Sequence, residues 1–452
     1  MKRTPDQPLR AALTRLRHWR HSGGNIAVMT ALLIVPTVFA LGLAYDYTMA
    51  SNRKDQVDGM ADAAALGAVT PAMMAQSLAT AEARSKTLFL DQIATVPGVT
   101  YSSSDVVVTG ADTPLGATIV RNVTLTYKAA SPNAFASILG QPAFQIIGNS
   151  AATSGGAPNI DFYVLLDDSP SMEIAATQSD IDTMVAATGR QGGCAFGCHE
   201  SNPSGSDNAG NPNGEDNYTL ARNLGLTLRI DLVNTATQNL MTTAQNTESR
   251  NGAAYRTAIY TMDYNFTNLQ ALTSDLTAAQ RSAANIASPV VYNNNCLTRT
   301  NCNNDEDSAL DKGLSSANTA MPDPGNGTNN AGDQPQEVLF IVSDGLVDEG
   351  VASGGNCGSS TRMCAGINTL SDWCTAIKKR GIRIAFLYTT YYPLTTNSFY
   401  NSHIASFQSQ VATDAQNCAS DGLFFQVDTG GNISDALQTL FLRAVSTARL
   451  TQ

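Results

Sequence analysis

Three kinds of hydrophobic patterning succeed one another along the chain. From Asn25 to Tyr45 there is no Lys, Arg, Asp or Glu in 21 residues, and Ile26, Ala27, Val28, Met29, Leu32, Leu33, Ile34, Val35 and Val38 through to Leu43 keep the run apolar. About 20 such residues cross a hydrocarbon core as a helix, whereas the apolar part of a cleaved export signal is usually about 7 to 15. A retained transmembrane anchor is therefore expected over 25–45, and its length disfavours the alternative of a buried core helix. Pro36 is tolerable inside such a span because neighbouring groups take up the freed carbonyl. Past Asp46, Val57, Met60, Ala61 and Ala64 recur at helical spacing in Ala-rich sequence, predicting a helix that runs on to about Thr70, ahead of Pro71.

The period then shortens to two. Val106 to Val108, then Val123, Leu125 and Tyr127 alternating with threonines, then Phe144 to Ile147 are bounded by Gly or Pro and read as strands. A small β-rich stalk domain over 91–155 follows, with Gly155-Gly156-Ala157-Pro158 as a linker. In the third region, 156–452, short apolar runs alternate with helical stretches, which is the pattern of a mostly parallel sheet covered on both faces. The runs are Phe162–Leu166, Tyr255–Met262, Val338–Val342, Ile382–Tyr388 and Leu423–Val427; helices are expected near 219–245, 268–286, 308–318, 371–380, 403–417 and 432–448. Asn-, Gly- and Pro-rich inserts near 188–217, 288–307 and 321–335 read as surface loops. The expected fold is α/β, a doubly wound, Rossmann-like sheet preceded by a transmembrane helix, a membrane-proximal helical region over 46–90 and the stalk.

Charge adds topology. The 452 residues carry a net charge of −11, yet residues 1–25 hold Lys2, Arg3, Arg10, Arg15, Arg17 and Arg20 against the single Asp6. The positive-inside bias places this basic segment, 1–24, in the cytoplasm and sends the acidic remainder across an inner membrane as a single-pass protein. The acidic balance also repels phosphate backbones, so nucleic acid is not an expected partner. All eight cysteines (Cys194, Cys198, Cys296, Cys302, Cys357, Cys364, Cys374 and Cys418) lie beyond the anchor, where an oxidising compartment permits disulfides. Their spacing suggests three local staples, 194 to 198, 296 to 302 and 357 to 364, with Cys374 and Cys418 closing a fourth. Cys194 and Cys198 have three residues between them before His199, one too many for haem attachment.

The chemistry lies at two strand ends. The run Phe162–Leu166 ends in Asp167-Asp168-Ser169-Pro170-Ser171, and Val338–Val342 ends in Ser343-Asp344-Gly345. Doubly wound sheets bind ligands at the carboxyl ends of their strands, and two acids with two hydroxyls there offer an all-oxygen shell to a hard divalent cation. The bland alternative for Asp-x-Ser-x-Ser is a helix N-cap.

Together these residues resemble the von Willebrand factor type A family, whose metal-ion-dependent adhesion site uses D-x-S-x-S, a Thr from a following loop, and the Asp of T-D-G. The resemblance implies metal ligands Asp167, Ser169, Ser171 and Asp344, with Ser343 standing where the family has Thr. The family's middle ligand opens a T-x-x-x-x-G-L helix; here Ser308-Ala-Leu-Asp-Lys-Gly313-Leu314 makes Ser308 the candidate, with Thr298, Thr300 and the acids Asp305, Glu306 and Asp307 as rivals. The implied cofactor is a divalent cation, Mg²⁺ first, with Mn²⁺ or Ca²⁺ as alternatives.

Around the anchor, Ser22-Gly-Gly-Asn-Ile-Ala27, Tyr45-Asp46 and Val57-Asp-Gly-Met-Ala-Asp62-Ala-Ala-Ala-Leu66 resemble the TadG-like proteins of Flp (tight-adherence) pilus systems, as does the ending Ala448–Gln452. That resemblance implies an anchored pilus-assembly component whose partners are pilins or other assembly proteins. Gly24 is followed five residues on by Met29 rather than Glu, so prepilin-type cleavage is not expected. An adhesin binding host or matrix ligands through the same metal is the alternative destination.

A hydrolase is the remaining class. Of four histidines, His18 and His21 fall on the cytoplasmic side, leaving His199 and His403, and no G-x-S-x-G elbow or phosphate loop occurs. With no nucleophile and base to assign, the chain is not expected to be an enzyme.

Overall fold

The computed structural model describes residues 9–115, 118–191, 193–194, 216–289, 308–348, 363–365, 372–391, 398–428 and 431–445. The chain divides into two compact units: Met1–Met74, Leu78–Ala111 and Arg121–Ser154 form one, and Ala75–Ser77, Asp112–Val120 and Gly155–Gln452 the other.

The first unit is built mainly from helices α1 (Leu9–Ala68), α2 (Pro71–Met74) and α3 (Leu78–Ile93) and strands β1 (Thr100–Leu115), β2 (Thr118–Pro132) and β3 (Ala143–Gly156), the strands lying side by side in chain order. The apolar run thus belongs to one unbroken helix of 60 residues that begins well before it, at Leu9. Pro36 leaves the helix intact, and the neighbouring Leu33 carbonyl accepts the Thr37 hydroxyl at 2.7 Å. Among the described residues this is the one helix long and apolar enough to cross a membrane; its best window has a mean hydropathy of 2.4 and is 6% buried. Further along, α1 becomes a core helix: Val57, Ala61 and Ala64 are buried with Phe89 and Ile93 of α3 and Val106, Leu125, Tyr127 and Ile146 of the sheet. Alanine on that face lets α3 approach closely. Polar ties fix the packing, with Tyr127 donating its hydroxyl to Asp58 at 2.6 Å and Arg53 reaching Ser131 at 2.6 Å. Nearer the apolar run, Asp46 accepts the backbone N–H groups of Ala134, Phe135 and Ala136 at 2.9, 2.8 and 2.7 Å.

The second unit contains β4 (Ile160–Asp167), α4 (Gln178–Ala187), α5 (Asn217–Asn223), α6 (Arg229–Asn251), β5 (Tyr255–Met262), β6 (Phe266–Thr273), α7 (Leu276–Ala283), α8 (Leu310–Ala320), β7 (Gln336–Ser343), β8 (Leu346–Asp348), β9 (Met363–Ala365), α9 (Trp373–Lys379), β10 (Arg383–Thr389), α10 (Ser398–His403), α11 (Gln408–Cys418), β11 (Phe424–Val427) and α12 (Ile433–Val445). Its six-stranded sheet has the order β11-β10-β7-β4-β5-β6. All pairings are parallel except β5 with β6. Every residue of β4 is buried, as a central strand covered on both faces requires. Phe162, Val164 and Leu166 pack with α6 and α12 on one face, while Tyr163 and Leu165 pack with α8, α9 and α11 on the other. The architecture is a doubly wound, mostly parallel α/β sheet.

One expectation needs correction. The stretch 268–286, read as a helix, opens with strand β6 and becomes helical only at Leu276. Its Leu, Gln and Ala residues favour helix in isolation, but pairing with the edge of β5 overrides that preference, and Asp275 then caps α7 by accepting the Ala278 N–H at 2.9 Å. Cys374 and Cys418 form a disulfide joining α9 to the end of α11, with Cα atoms 5.1 Å apart. Cys198, Cys296, Cys302 and Cys357, and with them the three expected local staples, lie outside the described residues.

Candidate metal centre

The chain leaves β4 to form β5 on one side of it and later returns to form β7 on the other. The carboxyl ends of β4 and β7 therefore flank the point where strand order reverses, the place where open α/β sheets form a crevice. In register, Leu166 lies opposite Val342, so Asp167 and the Ser343-Asp344 pair emerge side by side.

These residues are joined by hydrogen bonds. Asp167 Oδ1 accepts the Ser169 N–H at 3.0 Å, and its Oδ2 accepts the Ser343 hydroxyl at 2.7 Å. The Ser169 and Ser171 hydroxyl oxygens are 3.0 Å apart, and Ser171 donates to Asp344 Oδ2 at 2.9 Å. Pro170–Glu173 form a single 3₁₀ turn just after Ser169, which turns both serines back across the strand ends. On the other strand, the Leu346 N–H reaches Asp344 Oδ1 at 3.2 Å and the Gly345 N–H reaches Ser343 Oγ at 2.9 Å. Gly345 has φ of +69°, and a Cβ there would lie 2.7 Å from Val411, so the turn that aims Asp344 requires glycine.

Ser308 sits beside this cluster rather than in its hydrogen-bonded chain. It is buried, exchanges backbone hydrogen bonds with Asp348, and donates its hydroxyl to the Leu346 carbonyl at 2.9 Å. Its oxygen keeps lone pairs for a further bond. Asp168 takes no part in this chain of bonds: its backbone N–H bonds to the Met262 carbonyl, and burial first and the charge of Asp263 second raise its carboxyl well above the ordinary range. Thr298, Thr300, Asp305, Glu306, Asp307 and His199 lie outside the described residues.

Asp167 and Asp344 are both fully buried. Burial raises the pKa of each; the charge of Asp344 pushes Asp167 further, while Arg229 pulls Asp344 back. The pattern of strand ends had not pointed to this arginine. It opens α6, is 4% exposed, and places Nη1 3.6 Å from Asp344 Oδ2 while Nη2 donates to the Thr390 carbonyl at 3.2 Å. A cation in the first turn of a helix opposes the helix dipole, and that mismatch was the available signal. Two carboxylates against one guanidinium leave the cluster short of positive charge. With donors that are oxygen throughout, it fits a hard divalent cation. Among the described residues no group of three or more His, Cys, Asp or Glu is placed to hold a metal; this cluster combines two carboxylates with hydroxyls instead.

Residues 24–77 match the family model described as putative Flp pilus-assembly TadE/G-like. The amino-terminal segment is TadE/G-like. It covers the whole apolar run and the part of α1 that packs against the sheet of the first unit. No curated protein matches this chain. Solved structures similar to it include the vWF domain of the type V pili tip protein Mfa5 from Porphyromonas gingivalis, at 9% identity and a TM-score of 0.35 over 65% of this chain and 98% of that one. The conserved hypothetical protein BatB from Bacteroides thetaiotaomicron is 11% identical, with a TM-score of 0.33 over 64% and 100% of the two chains. Proximal thread matrix protein 1 from the mussel byssus, in a form with a zinc-occupied MIDAS motif, is 12% identical, with a TM-score of 0.30 over 62% and 46%. These values are too low to carry ligands or partners from one protein to another. The match relates residues 24–77 to TadE/G-like sequences, and the helix they belong to is long and apolar enough for a single-pass membrane protein.

Proposed function

We propose that the protein is an anchored, non-enzymatic binding component of Flp pilus assembly that recruits partners through a divalent cation. Residues 25–45 are the membrane anchor, with residues 1–24 on the cytoplasmic side and the α/β unit exported. Asp167, Ser169, Ser171 and Asp344 hold the cation, Mg²⁺ first, and Ser308 completes the set from α8's side. A bound divalent ion supplies a Lewis-acidic position that an oxygen ligand from outside can fill. The protein's own part is to hold these oxygens together, to offset the carboxylate charge with Arg229, and to offer the site at the carboxyl ends of β4 and β7 to a carboxylate of a pilin or another assembly protein.

The observation that carries this reading is the continuous chain of bonds from Ser343 through Asp167, Ser169 and Ser171 to Asp344. Titration calorimetry of the full chain in detergent with Mg²⁺ or Mn²⁺ tests it. One site is expected, abolished by Asp167→Ala with the far-ultraviolet circular dichroism unchanged. Equal binding by the variant refutes the ligand set. Photocrosslinking from Ser171 in cells with the pilus machinery then identifies the partner, and adducts that persist when Asp344 is replaced by Ala would refute recruitment through the cation.

A further inference from the structure

The loop between β2 and β3 is fastened to α1 beside the apolar run. Asp46, the first charged residue after that run, accepts three consecutive backbone N–H groups of the loop, from Ala134, Phe135 and Ala136. Phe135 lies so close against Gly42 that no Cβ fits there. Gly42 belongs to the charge-free run, three residues before Tyr45, or about 4 to 5 Å towards its centre at 1.5 Å per residue. Tyr45 and Tyr47 are 56% and 68% exposed, as aromatic residues at a membrane boundary are.

The turn that follows, Ala136–Leu139, ends at Gly140 in the left-handed conformation and leaves Ile138 and Leu139 68% and 62% exposed. Two large aliphatic side chains at a loop tip are costly in water, at about 25 cal/mol per Å² of apolar surface. No Lys, Arg, Asp or Glu occurs between Lys128 and Asp161, so no charge on the loop resists entry into the headgroup and acyl boundary.

We propose that the β2–β3 turn is a second membrane contact, with Ile138 and Leu139 seated in the headgroup and acyl boundary of the bilayer that α1 crosses. The occupant is lipid rather than protein because the patch continues the apolar surface of the helix to which Asp46 and Gly42 bind it. Amphipathic elements of this kind sit about 5 to 10 Å into that boundary. The contact gives the first unit two attachments to the bilayer and so restricts its tilt. It rests on the reading of 25–45 as the anchor.

The test uses the full chain in nanodiscs of phosphatidylcholine, with and without bromine on the acyl chains. Trp19 and Trp373 are replaced by Phe, and one tryptophan is introduced by Leu33→Trp, Leu139→Trp or Ile147→Trp. Ile147 is 57% exposed on β3 beside Gly148, which approaches Asp58, twelve residues or about 18 Å along α1 from Asp46. Brominated lipid is expected to quench the probes at positions 33 and 139 at least twofold and to leave the one at 147 unchanged. Quenching at 33 without quenching at 139 overturns the proposal while the anchor stands. Absence of quenching at 33 overturns the anchor and the proposal together. Equal quenching at 139 and 147 overturns the claim that the turn itself makes the contact. If Leu139→Trp does not fold, Ile138→Trp takes its place under the same criteria.

Discussion

Arg229 Nη1 stands 3.6 Å from Asp344 Oδ2, the same oxygen that accepts the Ser171 hydroxyl. Guanidinium and metal would therefore draw on one carboxylate. At that separation and an effective dielectric near 20, unit charges interact by about 4 to 5 kcal/mol, enough to set both cation affinity and the stability of the metal-free unit. Arg229→Met keeps the aliphatic stem and removes the charge. Calorimetry is expected to show Mg²⁺ binding roughly tenfold tighter or more. In chelator the variant unit should unfold earlier, by about 3 kcal/mol, because a buried carboxylate loses its partner. Weaker Mg²⁺ binding would show that Arg229 supports the site rather than competing for it.

Ser343 is not itself one of the proposed ligands, yet it holds Asp167 Oδ2 and receives the Gly345 N–H. Outer partners of this kind are typically worth about 10 to 100-fold in metal affinity. Ser343→Ala should weaken Mg²⁺ binding within that range while leaving one site per chain. A variant that binds as well as the parent would place the orientation of Asp167 elsewhere.

At the opposite end of β7, Glu337 pairs across the sheet with Asp161 and is 1% exposed. Burial first, and the charge of Asp161 second, push its carboxyl from 4.5 up to about 8, against the pull of Arg256 and Arg380. The folded state thus holds a proton that the unfolded chain releases. The contribution to stability is full below about pH 4.5 and is lost as pH rises through about 8. Glu337→Gln removes this slope. In a Trp19→Phe background, thermal unfolding followed by Trp373 fluorescence should show the variant gaining on the parent as pH rises, by a few kcal/mol over the window. Parallel pH profiles would contradict the assignment.

The Cys374–Cys418 bridge spans 44 residues of sequence, and both cysteines are fully buried. Closing a loop of that length stabilises by about 2 to 4 kcal/mol, chiefly through the unfolded chain in the loop-entropy account. Replacing both with Ala should lower the unfolding temperature of the α/β unit by the same fluorescence readout. Reduction with dithiothreitol under denaturing conditions should mimic the double variant.

How much of this was legible beforehand depended on where each signal lay. Strands β4, β5, β7 and β10 announced themselves because almost fully buried strands leave continuous apolar runs, as in Phe162–Leu166 and Val338–Val342, and the acids and hydroxyls terminating β4 and β7 fell at the strand ends. Strand β6 was hidden because an edge strand is half exposed and its composition suits a helix. Helix α4 was missed too: its first turn is capped by Thr177, which accepts the Asp180 N–H at 3.1 Å, but only Ile181 and Met184 are buried on it, too few to mark a period. Arg229 could not be placed by spacing at all, since its relation to Asp344 crosses 115 positions and exists only once α6 lies over the ends of β4 and β7.

The uninterrupted course of α1 has a geometric consequence. Because the apolar run and the buried positions Val57, Ala61 and Ala64 share one helix, the rotational phase between the run and the sheet-facing side is fixed by residue count. Adding or deleting one residue between Tyr47 and Val57 would swing the sheet by about 100° around the shaft. The segment works as a keyed axle whose length, as much as its composition, is under constraint.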